Sequence, residues 1–91
     1  MPKVYIPISM RKFTDRQSSI EVNDVSTIAS LLQSIQSQYP GIANLLHNQN
    51  GKLNPYIAVF INNTDIRDLA EAETPVSEKD EVHIIQAIAG G

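Results

Sequence analysis

No cysteine occurs in the 91 residues. That removes disulfides, thiolate nucleophiles, and the usual structural zinc and iron–sulfur ligation. A cytoplasmic setting is the simplest fit to such a chain. Histidine is scarce: His47 and His83 are the whole supply, too few for a histidine metal cluster. His47 falls in a polar stretch and reads as a solvated residue. No apolar run approaches the roughly 20 residues that span a bilayer, so no membrane association is expected. The start, Met1-Pro2-Lys3-Val4-Tyr5-Ile6, enters a strand pattern at once and leaves no room for a signal peptide. Glycine-rich phosphate loops, the nucleophile-elbow pattern and the His-Glu-x-x-His pair are all missing. Glu71 and Glu73 stand on alternate positions of what reads as an extended, exposed segment. They read as surface charge, since a catalytic carboxylate pair needs a pocket that shifts its pKa values. No basic stripe exists to neutralise phosphates, so nucleic acid is an unsuitable ligand.

What is present is one small domain's worth of chain with an uneven charge. The net charge is −3. Residues 1–64 carry five basic and three acidic side chains; residues 65–91 carry two basic and seven acidic ones. The acidic part is either a solvated face or a means of steering the C-terminal end toward a basic partner. The sequence ends Ala89-Gly90-Gly91, directly after the apolar run Val82–Ile88. Two glycines make a poor end for a folded element, because glycine loses the most backbone entropy on ordering. They do make a thin tail with an unhindered carboxylate, ionised at neutral pH. The expected organisation is a folded domain over residues 1–86 and a flexible tail over 87–91.

Lys3–Ser9 alternates, with Val4, Ile6 and Ile8 on one side and Tyr5 and Pro7 on the other, and predicts a half-buried strand. Pro7 cannot donate to a ladder, which places it at an unpaired position or shortens the strand. Met10–Gln17 reads as a hairpin loop and Ser18–Val22 as a second strand. Ser26 is a candidate N-cap for a helix from Thr27 to Tyr39. Ile28, Leu31, Leu32, Ile35 and Tyr39 recur at helical spacing along it. Pro40-Gly41 stops it. Ile42–Leu46 predicts one more helical turn, and His47–Pro55 a polar loop. Tyr56–Ile61 is a β-branched and aromatic strand, followed by the turn Asn62–Asp65. Ile66 and Leu69 anchor a loose connection, Thr74-Pro75-Val76 returns to the body, and Val82–Ile88 is the last strand. The order predicts an α+β architecture, one main helix across one face of a sheet. The first and last strands, the most apolar, are expected side by side at its centre.

A single helix covers only one sheet face. With Phe60, Val82 and Ile84 assigned to the helix, Ile57, Val59, Ile61, His83 and Ile85 fall on the open face. An apolar patch there, leading toward the tail, is the expected partner surface unless a loop such as His47–Pro55 covers it.

The chain resembles the β-grasp, ubiquitin-like sulfur carriers of the MoaD/ThiS type over nearly its whole length. The resemblance rests on the strand order and on the helix followed by Pro40-Gly41-Ile42. It rests also on Phe60–Arg67, on Thr74–Val82 and on the ending Ala87-Ile88-Ala89-Gly90-Gly91. It implies a β-grasp fold, a mixed sheet of four to five strands with one main helix. It implies a carrier and co-substrate rather than an enzyme, one that binds no cofactor itself. Its partner is an E1-like activating enzyme that binds the sheet face and uses MgATP to adenylate the Gly91 carboxylate. A sulfur donor then replaces AMP and leaves a thiocarboxylate. Gly90 and Ala89 give the tail access to the active site. A downstream enzyme takes the sulfur: a cysteine synthase-like protein, or the large subunit of molybdopterin synthase. The length and the Gly51-Lys52-Leu53 stretch resemble carriers for cysteine biosynthesis. Molybdopterin synthase small subunits commonly have prolines ahead of the tail, where this chain has Ile85-Gln86-Ala87-Ile88. The same fold and tail also serve protein modifiers, in which Gly91 forms an isopeptide bond to a target lysine.

Overall fold

Five strands assemble in the order β2-β1-β5-β3-β4 in the computed structural model, which describes residues 1–47 and 52–86. They are β1 (Lys3–Tyr5), β2 (Ser19–Glu21), β3 (Ile57–Ile61), β4 (Thr64–Asp65) and β5 (Glu81–Gln86). β1 and β5 run parallel, Val4 opposite Val82, and every other neighbouring pair is antiparallel. The first and last strands are therefore adjacent, as their apolar character predicts. A parallel pair needs a long crossover, and here the crossover holds the main helix, α1 (Ile28–Gln38).

The first strand is shorter than its alternation suggests. Ile6 still donates to the Ser18 carbonyl at 2.8 Å, but Pro7 has no N–H to continue the ladder. The chain turns instead into a 3-10 segment, Ile8–Phe13, closed by Met10 N–H to the Pro7 carbonyl at 2.9 Å. The turn drives Met10 into the core and leaves Ile8 in solvent. The expected hairpin loop is thus a packed element.

α1 is capped by Thr27 rather than Ser26. The Thr27 hydroxyl accepts from the Ser30 N–H at 3.2 Å, and the Ser30 hydroxyl accepts from the Thr27 N–H at 3.0 Å. Two orphan donors are satisfied reciprocally. Ser26 is used elsewhere: its carbonyl accepts from Val76 N–H, and Ile28 N–H donates to the Thr74 carbonyl. These bonds tie the start of the helix to Thr74-Pro75-Val76. Ile28, Leu31, Leu32 and Ile35 are buried, each adding about 1.5–3 kcal/mol of apolar burial.

After Tyr39, a 3-10 turn (Pro40–Ile42) leads into α2 (Ala43–Leu46), which seats Ile42 and Leu46 in the core. Gly41 has a steric reason. A Cβ there would lie 2.8 Å from Cδ1 of Phe13, whose ring packs against the core. Gly41→Ala is expected to cost about 1–3 kcal/mol through this overpacking, read as a lowered midpoint in chemical denaturation. An unchanged midpoint would mean that the Phe13 ring moves freely.

The β3–β4 hairpin turns through Asn62 and Asn63, at φ 48° and 74°, the left-handed region that asparagine tolerates. The Asn62 side chain then fastens the start of β5. Its Nδ2 donates to Asp80 Oδ1 at 2.7 Å, and its Oδ1 accepts from Glu81 N–H at 3.0 Å. The Ser77 N–H, 2.7 Å from Asp80 Oδ2, holds the Asp80 carboxyl below its ordinary pKa, helped by Asn62. A depressed folded-state pKa contributes stability that is complete above the unfolded value, roughly 3.9. It is lost as pH falls through the lower folded value. Asp80→Asn is therefore expected to flatten the acid limb of the stability curve below about pH 4. Identical acid limbs in thermal melts of the two proteins would contradict this role.

Candidate docking face

The strand register decides which side chains meet the helix. Val59 lies opposite Ile84, and Ile61 opposite Val82. Residues directly opposite in a sheet share a face, and all four are buried. Ile57, Val59 and Ile61 therefore belong to the core beneath α1, which corrects their assignment to the open face. Phe60, expected under the helix, lies opposite His83 on the open side. Alternation sorts a strand into two sets, but only pairing with a neighbour says which set faces inward, and a one-residue error exchanges them.

His83 and Ile85 stand on the open face as expected. They are joined by Tyr5, Ala58 and Phe60. The Tyr5 and His83 rings stack with centroids 4.4 Å apart and planes 9° from parallel. The Tyr5 hydroxyl donates to Glu81 Oε2 at 3.2 Å, and the Lys3 ammonium lies 5.3 Å from the Tyr5 ring centroid. Asp65, opposite Phe60, closes one side of the face in a bidentate pair with Arg67, Oδ2 to Nη2 at 2.7 Å. The Arg67 hydrogen bonds hold the Asp65 carboxyl below its usual value. Ile85 remains 47% exposed at the end of the face.

The described part of the His47–Pro55 loop does not cover this face. His47 bridges to Leu53, and both line a groove of about 1010 Å³ on the helix side, with Leu32 and Gln36 of α1. His47 is half-buried, its Nδ1 2.8 Å from Gln36 Nε2, rather than the solvated residue expected. No group of three or more acidic or histidine side chains suited to a metal occurs among the described residues. Among the described residues, no helix is long and apolar enough to cross a membrane.

Gln86 ends the described part of β5. It lies opposite Ile57, and its side chain hydrogen-bonds the Ser9 hydroxyl. This fixes the end of the described part of the strand. Ala89, Gly90 and Gly91 lie outside the described residues. Three of the seven acidic side chains of residues 65–91 lie at the far end of β5 from Gln86. Glu78, Asp80 and Glu81 gather at the start of β5, about 17 Å of strand from Gln86. Sequence reasoning missed Tyr5 and Phe60 as members of the face. The alternation that turned Tyr5 away from Val4 was a usable signal for the first; Phe60 had none without the register.

A mixed five-stranded sheet grasping one main helix defines a ubiquitin-like β-grasp protein. The sequence pattern of the ThiS family matches residues 4–91, and the chain belongs to that family of ubiquitin-like sulfur carriers. It is 29% identical to the sulfur carrier protein CysO of Mycobacterium tuberculosis, over 97% of this chain and 96% of that protein. It superposes on a chain of the Amycolatopsis orientalis BexX/CysO complex with TM-score 0.90 and 30% identity, both covered in full. It is also 29% identical to small archaeal modifier protein 3 of Haloferax volcanii, over 77% of this chain and 75% of that one.

Proposed function

We infer that the chain is a cytoplasmic carrier whose Gly91 carboxylate is activated and charged with sulfur, and that cysteine biosynthesis receives the sulfur. The observation that carries this reading is the likeness to CysO over almost the whole of both chains. The fold supplies the means. An E1-like enzyme has an apolar sheet face to hold, and five extended residues beyond Gln86 reach roughly 17 Å. The Gly91 carboxylate attacks the α-phosphate of MgATP bound by that enzyme, and pyrophosphate leaves. A sulfur donor attacks the resulting acyl carbon, AMP leaves, and a thiocarboxylate remains. A second enzyme, cysteine synthase-like, spends that sulfur in a new C–S bond. The carrier positions the acyl group and presents it; its partners supply the catalytic groups.

The likeness to an archaeal modifier protein favours one second reading, in which the same adenylate is passed to a lysine and Gly91 ends in an isopeptide bond. Both readings require the first step. An E1-like enzyme is expected to catalyse ATP–pyrophosphate exchange only when this chain is present. Exchange that ignores the chain would contradict both.

A further inference from the structure

The open face of the sheet holds one histidine among its apolar side chains. His83 stands between Tyr5 of β1 and Phe60 of β3, its direct neighbours across the two ladders. All three are half-buried. The flat Tyr5 stack uses the face of the imidazole and leaves both ring nitrogens at its edge. Among the described residues, neither nitrogen has a hydrogen-bond partner. His47 differs, since its Nδ1 meets the Gln36 amide on the helix side.

The charged groups around His83 come from four strands. On β1, the Lys3 ammonium lies 5.3 Å from the Tyr5 ring centroid. On β5 itself, Glu81 accepts the Tyr5 hydroxyl. On β4, Asp65 is taken up by Arg67, and on β2, Glu21 lies opposite Lys3. None of the carboxylates hydrogen-bonds the imidazole. Histidine is the side-chain type that ordinarily changes charge between about pH 5 and 8, and His83 is the one histidine on this face. In the free chain a protonated ring is tolerated, because the Tyr5 ring supports the cation and water reaches the edge nitrogens. An apolar surface laid over the face removes that water, and two charged N–H groups are then left without acceptors. The neutral ring carries no charge and has one N–H to satisfy.

We propose that His83 makes docking on this face proton-sensitive: the neutral ring permits it and the protonated ring opposes it. Each carrier that docks from the protonated state gives up one proton, so acidification releases the carrier from its partner. One linked proton limits the effect to tenfold in affinity per pH unit. The identity of the partner, an activating enzyme, rests on the function proposed above. The proton sensitivity rests on the ring stack, the unpartnered nitrogens and the apolar neighbours.

The test measures the Kd of the full chain for the activating enzyme, without ATP, at a series of pH values. Folding of each variant is checked by circular dichroism. The same enzyme is used throughout, so its own titrations are common to all variants. For the native chain, Kd is expected to rise about tenfold between about pH 7.5 and 5.5. His83→Gln, neutral at every pH, is expected to flatten this rise. His83→Lys, charged at every pH, is expected to bind weakly throughout. His47→Gln, on the helix side, is expected to keep the native profile. Binding by the native chain that ignores pH, that strengthens on acidification, or that keeps its profile in His83→Gln would overturn the switch and leave the proposed function intact. No binding at any pH would overturn the proposed function and the switch together.

Discussion

Deleting Gly91 is expected to abolish adenylation, and Gly90→Ala to slow it without abolishing it. Removing one residue withdraws the carboxylate by about 3.3–3.6 Å. Reaction requires the attacking atom within about 3–3.5 Å of its target, and an error near 1 Å already costs on the order of a hundredfold. The sheet cannot make up the difference, because β5 is paired with β1 from Glu81 to His83 and with β3 from Val82 to Gln86, and the Asn62 side chain fastens its start. Gly90→Ala keeps the reach and adds one methyl group where the backbone enters the active site. ATP–pyrophosphate exchange at saturating enzyme separates the two effects. A Gly91-deleted chain adenylated at the native rate would remove this residue from the mechanism.

The second large effect separates the two faces of the sheet. Val59 is fully buried beneath α1, opposite Ile84. Val59→Asp forces a carboxylate into that layer with no cation among the buried side chains around it, at a cost of several kcal/mol. A domain this size has about 5–15 kcal/mol to lose, so the variant is expected to melt far below the native temperature or not to fold. Ile85→Asp sits on the open side and is expected to keep the native melting temperature while weakening the hold of the activating enzyme at least tenfold. Circular dichroism melts and the KM for the carrier measure both. A folded Val59→Asp with weakened docking, beside an unfolded Ile85→Asp, would restore the opposite face assignment.

That contrast also shows where the sequence stopped being legible. The helix was readable because Ile28, Leu31, Leu32 and Ile35 repeat a local period, and all four are buried. The pairing of first and last strands followed from their shared apolar character. Inward and outward sets were a different matter. Val59 and Phe60 are both large and apolar, and only the non-local pairing with Ile84 and His83 separates them. Local competition explains the smaller misses. Thr27 displaced Ser26 as the cap because Ser30 stands three residues beyond it and can return the bond. Ile8 left the apolar row because Pro7 ended the ladder and the chain coiled, burying Met10 in its place.

The central claim is that Gly91 carries sulfur, and intact mass spectrometry of the full chain tests it most directly. The protein is incubated with host lysate, ATP and a sulfide source, then weighed and fragmented. A mass gain equal to the exchange of one oxygen for sulfur, mapped to Gly91, is the expected result. An unchanged free chain, with the remainder recovered in isopeptide linkage to lysines of other proteins, would contradict it and make the chain a modifier.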